Sequence, residues 1–319
     1  MVSENYKNEA HDKPFPGERW FPDQSSFADD LKKNWGDWGV HSETGKLKAA
    51  LLRKPVEEIQ DLDPDKYRFK AKPSPEIAAR EHDELAQVYR DHGVEIYYVE
   101  ETRSDRPNSY FLRDLMFMTP EGAIISRPAM TGRRGEERYV AQALAKIGVP
   151  IVRTINGSGF FEGANGMWID RETVILATGA RANREGIEQV EYELRRMGVT
   201  EVIYMQIPYG HAHIDGLLNI ADQKTAMIYA PQVPYDVCAA LQAKGFKLLE
   251  VPSNKEAKDN LSINFVALEP GKVVMPAGNP MTREALEAAG IEVIPVDITE
   301  LLKGWGAIHC MTGPLKREG

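Results

Sequence analysis

Cys310 is one of two cysteines in the 319-residue chain. It stands nine residues from the C-terminus in Trp305-Gly306-Ala307-Ile308-His309-Cys310-Met311-Thr312-Gly313-Pro314. A thiol so near a chain end makes poor core filler. The glycine-rich approach lets backbone or ligand come close, and Gly313-Pro314 is expected to stop a strand just after the thiol. A lone cysteine becomes a nucleophile candidate when a base and an orienting carboxylate exist elsewhere in the fold. His213 and Asp215, two apart on an expected strand, share one face. An imidazole of pKa about 6.5 can trade a proton at neutral pH. Glu162 can orient that imidazole and favour its charged form. His211 has the same parity, but it falls in the Pro208-Tyr209-Gly210 turn. His309 would face the opposite side of a strand from Cys310 and is not expected to be the base. Asp114 and Asp215 are then anions with no proton to move. Two carboxylates on one pocket suit a planar cation rich in N–H donors, and a guanidinium is that cation. Its arrival would also lower the pKa of a thiol that ordinarily ionises near about 8.5. His-x-Asp also occurs in metal sites, but no further His/Cys cluster has metal spacing, so neither a metal nor another cofactor is expected. Cys238 lies on a helical pattern over 235–241 and is read as structural.

These side chains need a scaffold that gathers them, and the repeats supply one. Five helical runs end in glycine and pass into a short β-rich strand, at Gly93, Gly148, Gly198, Gly245 and Gly290, spaced by 55, 50, 47 and 45 residues. Glycine there accepts the left-handed conformation that ends a helix. Before the helices come strands at 47–53, 123–127, 173–177, 225–229 and 272–275. Four of these follow another apolar strand, at 110–118, 160–169, 214–221 and 263–268. Residues 307–311 supply the missing strand and close a ring beside 47–53. The reading is an α/β fold of five ββαβ blades about a pseudo-five-fold axis. Arg113-Asp114, Glu162, His213, Asp215 and Cys310 occupy equivalent places and converge on that axis. Residues 1–40, with Trp20, Trp35 and Trp38, fall outside the pattern. They are expected to pack as an N-terminal arm on a single propeller domain of residues 41–319.

The motifs resemble those of the guanidino-group-modifying enzymes of the pentein (five-bladed α/β propeller) fold, and of arginine deiminases in particular. Pro107-Asn108-Ser109-Tyr110-Phe111-Leu112-Arg113-Asp114 is similar to that family's Pro-Asn-x-x-Phe-x-Arg-Asp. Phe161-Glu162-Gly163-Ala164-Asn165 looks like its Glu-Gly-Gly-Asp, His213-Ile214-Asp215 its His-x-Asp, and Cys310-Met311-Thr312 its terminal Cys-Met-Ser/Thr. The resemblance covers about residues 41–319. It implies that Cys310 attacks the guanidinium carbon while Asp114 and Asp215 grip its nitrogens. It further implies that His213, supported by Glu162, protonates the departing amine and then activates water to hydrolyse a thiouronium intermediate. Asn108, Arg133 and Arg181 match positions that hold the amino-acid end of the substrate, with Arg134 an alternative to Arg133. Two departures stand out. The helical insert domain of the deiminases is missing, which makes the chain closer in size to dimethylarginine hydrolases and arginine dihydrolases. Asn165 stands at a substrate-side position where the deiminases have Asp, which removes a charge near the pocket.

The alternative to hydrolysis is amidino transfer to an amine acceptor. Amidinotransferases resemble this chain in His-Ile-Asp and His-Cys, but Glu162 stands where they have Asp. A non-catalytic binding protein of the same fold would lack the thiol and carboxylates. The net charge of −9 argues against a nucleic-acid partner. No stretch approaches the roughly 20 apolar residues of a membrane span, and residues 1–20 lack a signal-peptide core. Two cysteines in different contexts make no disulfide framework, which points to a reducing cytoplasm. The partner expected is a small guanidino molecule. Whether the chain is a monomer or a homo-oligomer is left open.

Overall fold

The computed structural model describes residues 24–318. Their strands form five three-stranded sheets. The first contains β1 (Lys46–Leu52) and β2 (Glu95–Tyr98), the second β3 (Met116–Thr119), β4 (Gly122–Ile125) and β5 (Ile151–Thr154). The third contains β6 (Gly166–Asp170), β7 (Thr173–Thr178) and β8 (Glu201–Gln206). The fourth contains β9 (Leu218–Asp222), β10 (Thr225–Ile228) and β11 (Lys247–Glu250), and the fifth β12 (Val266–Glu269), β13 (Lys272–Pro276) and β14 (Glu292–Val296). The first sheet is completed from the far end of the chain by β15 (Gly313–Glu318), antiparallel to β1. In every sheet the middle strand has one antiparallel and one parallel neighbour.

A parallel pair needs a crossover, and a helix provides each one. These are α3 (Pro75–Asp91), α4 (Glu136–Lys146), α5 (Arg184–Arg196), α6 (Tyr235–Ala243) and α8 (Pro280–Ala288). The five predicted glycines follow them with φ from 77° to 99°, where an L side chain is strained. The middle strands are apolar on both faces because both are covered: Val174, Ile175, Leu176 and Ala177 are all buried. On α5, Ile187, Val190 and Leu194 recur at helical spacing and seal that sheet. Truncating Leu194 to Ala would cost about 2–5 kcal/mol. The sheets abut in sequence: β15 touches β3, and β12 touches both β9 and β1.

Three expectations need correction. The closing strand is Gly313–Glu318 rather than 307–311, so Gly313-Pro314 begins the strand instead of stopping it. Pro314 is tolerated there because it sits beside the first residue of an edge strand. Residues 308–311 instead form a helical turn, α9 (Ile308–Met311). The other leading strands also start later than predicted. Tight 3-10 turns, Leu112–Asp114, Gly163–Asn165 and Ile214–Gly216, precede β3, β6 and β9.

Of the 1–40 arm, residues 1–23, including Trp20, lie outside the described residues. The remainder forms α1 (Phe27–Asn34), whose Ser26 cap accepts from Asp29 N–H. Trp38 then packs edge-on against Tyr97 with ring centroids 5.6 Å apart. Gly39 N–H donates to Leu315 O and Val40 N–H to Thr119 O. Among the described residues no helix is long and apolar enough to cross a membrane.

Candidate active site

One cavity of about 1030 Å³ is lined by the turns that precede β3, β9, β12 and β15, and by Arg181, which follows β7. Asp114 ends one 3-10 turn, Glu162 and His213 stand just before two others, and Asp215 lies inside the last. Cys310 lies on α9. The expectation that these residues sit on strands is therefore replaced. Tight turns rotate successive side chains by far less than the half-turn of a strand, which lets neighbours such as His309 and Cys310 serve one site.

The turn carrying Cys310 is held from several directions. Thr312 Oγ1 donates back to Ile308 O at 2.7 Å and pairs with Tyr89 Oη at 2.7 Å. Gly306 runs against the Phe111 ring, where an added Cβ would meet Cε1 at 2.2 Å. That is the close approach the glycine permits. Cys310 N–H donates to Asn264 Oδ1 at 3.1 Å, and Asn264 Nδ2 donates to Sγ at 3.1 Å. The thiol lies 3.5 Å from Asp215 Oδ2. Burial, with the charges of Asp215 and Asp114, pushes its pKa well above the ordinary thiol range, so the unliganded site holds a neutral thiol.

His213 Nε2 meets Glu162 Oε2 at 2.7 Å, and its Nδ1 lies 3.5 Å from Asp114 Oδ1. Burial works against the imidazolium, but Asp114 and the Glu162 hydrogen bond outweigh it and raise the pKa. Burial likewise opposes the Glu162 carboxylate, and the His213 hydrogen bond overcomes it, so that pKa falls. Glu162 is further fixed by Arg181 Nη1 at 3.3 Å and by Ala129 N–H at 3.1 Å. Asp114 Oδ2 accepts from Arg133 Nη1, whose guanidinium also bonds Glu136 at 2.9 Å and the carbonyls of Asn108 and Phe111. Asp114 Oδ1 is buried without a hydrogen-bond donor. His211 lines the cavity but does not join this cluster.

Asp215 has its own support. His309 Nδ1 donates to Asp215 Oδ2 at 2.8 Å, and His309 Nε2 lies 3.4 Å from Glu43 Oε2. Glu43 in turn receives Arg113 Nη2 at 2.6 Å. The His309 hydrogen bond holds Asp215 below the usual carboxylate range despite burial. Glu43, His309 and Asn264 were not expected from the sequence. Asn264 had a usable signal: it stands two residues before β12, as Asp114 stands two before β3. Glu43 lies ahead of β1 with no periodic cue.

Cys310, His213, Asp114, Asp215, Asn108, Arg133 and Arg181 all line the cavity. Glu162 is sealed behind His213. Asn165 does not reach the cavity: it is fully buried and its Nδ2 donates to Ala177 O at 3.1 Å. The substrate-side role expected of Asn165 is corrected accordingly, because the turn aims its amide into the β7 backbone. Asp114, Glu162 and His213 each offer a ligand atom within 4.8 Å of the others, a set that could hold a metal ion. Arg133 and Arg181 already balance those carboxylates. Cys238 lies half-buried on α6 against the core.

The arrangement pairs a thiol with an acid–base imidazole and with carboxylate oxygens on one cavity, which suits covalent chemistry on a cation. The family model described as N,N dimethylarginine dimethylhydrolase, eukaryotic, matches residues 60–317. An arginine deiminase of Borrelia duttonii (strain Ly) is 24% identical over 401 residues, covering 88% of this chain and 98% of the relative. A dimethylarginine dimethylaminohydrolase, solved as an adduct with 4-chloro-2-hydroxymethylpyridine, superposes with a TM-score of 0.69 at 24% identity, covering 83% of this chain and 98% of that one. The product-bound N-terminal domain of ArgZ, a cyanobacterial arginine dihydrolase, gives a TM-score of 0.72 at 18% identity, covering 86% and 98%. These structures share the α/β fold, and the family-model match across most of the length places the chain itself: it belongs to the N,N dimethylarginine dimethylhydrolase family.

Proposed function

We propose that the chain is a hydrolase of guanidino C–N bonds, acting on arginine or an arginine derivative through a covalent thiouronium on Cys310. The five sheets are read here as blades of one propeller domain, residues 41–319, with the site on its axis, and the protein as cytoplasmic. The observation that carries the reading is Asp114 Oδ1, a buried carboxylate oxygen that makes no hydrogen bond among the described residues, with only His213 Nδ1 near it at 3.5 Å, in the same cavity as a buried thiol. Such an acceptor is costly unless a ligand supplies the missing N–H.

Burial and the charges of Asp215 and Asp114 keep the thiol neutral; a guanidinium bound by the two carboxylates offsets their charges and sets a cation beside the sulfur, so the thiol loses its proton to water as substrate arrives. The sulfur then attacks the guanidinium carbon. The His213 imidazolium, held charged by Asp114 and Glu162, gives its proton to the departing nitrogen. The neutral imidazole next takes a proton from water, hydroxide adds to the thiouronium carbon, and the thiolate leaves. Arg133 and Arg181 brace Asp114 and Glu162 in this scheme; the Arg133 guanidinium is taken up by Asp114, Glu136 and two carbonyls, whereas Arg181 uses only Nη1 on Glu162 and lines the cavity, where it can still meet the substrate's far end.

The test is turnover of a guanidino panel that includes arginine and dimethylarginine, scored for ammonia, methylated amine and urea-type product with and without an amine acceptor. Release of amine or ammonia without acceptor, lost in Cys310→Ser, is expected. An absolute need for acceptor would move the activity to amidino transfer.

A further inference from the structure

The solvent-exposed mouth of the cavity carries three cations. Lys66, Arg68 and Lys258 line it and are solvent-exposed. Among the described residues none of the three has a carboxylate within 4.0 Å. Among the described residues that line this rim, Asp259 alone is acidic against Lys66, Arg68 and Lys258, and Lys70 stands beside it. His211 beside them is pushed towards neutrality by burial and by Lys258.

The rim is also held in place. The only described non-glycine residues with positive φ are Arg68 (60°), Leu261 (50°) and Trp305 (61°), and all three line this cavity. Such conformations are costly and persist where surrounding contacts enforce them. Lys70 is the common tie. Its N–H donates to Lys303 O at 2.7 Å, its Nζ donates to Asp259 O, and that Nζ stands 4.1 Å from the Trp305 ring centroid. The segments bearing Arg68, Asp259 and Trp305 are thereby joined across the mouth.

We propose that this rim selects guanidino compounds whose far end carries net negative charge, as in an arginine with its α-amino group acylated or absent. Lys66, Arg68 and Lys258 receive that charge. The inference rests on the floor being a guanidinium site. An amine-ended guanidine would set a cation among these three, and zwitterionic arginine would bring an ammonium along with its carboxylate.

The test uses the Cys310→Ser protein, in which affinity is read apart from turnover. Calorimetry in low salt compares 4-guanidinobutyrate and Nα-acetyl-L-arginine with L-arginine and agmatine. The two acids should bind up to about fivefold tighter than arginine and up to about twenty-five-fold tighter than agmatine, since each added like or unlike charge at a partly exposed site is worth up to about fivefold. Arg68→Ala with Lys258→Ala should shrink the spread to about threefold, and Lys258→Ala alone should shrink it less. Agmatine or arginine binding as tightly as the acids would overturn the proposal, as would failure of all four to bind. Ordered affinities without wild-type turnover would uphold the rim's selectivity and sink the hydrolase reading; turnover without charge preference would do the reverse.

Discussion

Two buried imidazoles flank the thiol, each between two carboxylates. His213 lies 2.7 Å from Glu162 and 3.5 Å from Asp114, and His309 lies 2.8 Å from Asp215 and 3.4 Å from Glu43. In both, neighbouring carboxylates overcome burial and raise the pKa above 6.5. They differ in access. His213 opens onto the cavity, while His309 is closed off from it, with Asp215 as its only outlet. The same device thus serves two ends. One imidazole can exchange a proton with a bound molecule; the other fixes a carboxylate and keeps it ionised. Charge and burial are alike in the two imidazoles; access to the cavity is what separates them.

The largest effect that would break this pairing is expected from His213→Asn. It should lower kcat by about 10² to 10⁴-fold with a smaller change in KM, measured by steady-state kinetics on the best guanidino substrate. Next is Glu43→Gln, which leaves Arg113 buried without its anion. Unpairing a buried ion pair costs about 3–5 kcal/mol, read as a drop in the denaturant midpoint. His309→Asn should act mainly through Asp215, raising KM about tenfold while the pH dependence of kcat keeps its wild-type form. A change in that pH profile as large as that of His213→Asn would erase the distinction between the two residues.

The pH dependence of stability sharpens the same comparison. Both histidines have folded pKa values above 6.5. Each therefore contributes stability that is complete below that value and is lost as pH rises through the raised one. Asp215 is lowered, so its contribution is present above 3.8 and is lost as pH falls through its depressed value. Melting temperatures of wild type and His309→Asn should converge as pH rises above the raised histidine pKa. The smallest effect concerns the thiol. In a Cys238→Ala background, Cys310 should react with a neutral alkylating agent more slowly than an ordinary thiol at neutral pH. Asp215→Asn should speed that reaction, because it removes a charge that raises the thiol pKa.

The glycine stops and the period of the units were legible in the sequence because each rests on local backbone chemistry at Gly93, Gly148, Gly198, Gly245 and Gly290. The cysteine, the His-x-Asp pair and Glu162 were legible because their chemistry is distinctive at any position. Their setting on strands was misread: apolar runs such as 110–118 include the 3-10 turn that precedes the strand, and composition does not separate the two. His309 was set aside by strand alternation, which does not apply on the helical turn of α9. Glu43 matters only once β15 returns to pair with β1 and brings His309 within reach. No local pattern announces that. Asn165 was carried over from a motif, yet its amide faces the β7 backbone.

The proposed chemistry requires a bond between the Cys310 sulfur and a guanidinium carbon. Wild-type protein mixed with a guanidino substrate, quenched in acid within the first turnovers and digested, allows the Cys310 peptide to be weighed. A mass increase on Cys310 equal to the substrate less its departing ammonia or amine, absent from Cys310→Ser and decaying as substrate is exhausted, is predicted. Product formation at an undiminished rate in Cys310→Ser would contradict it.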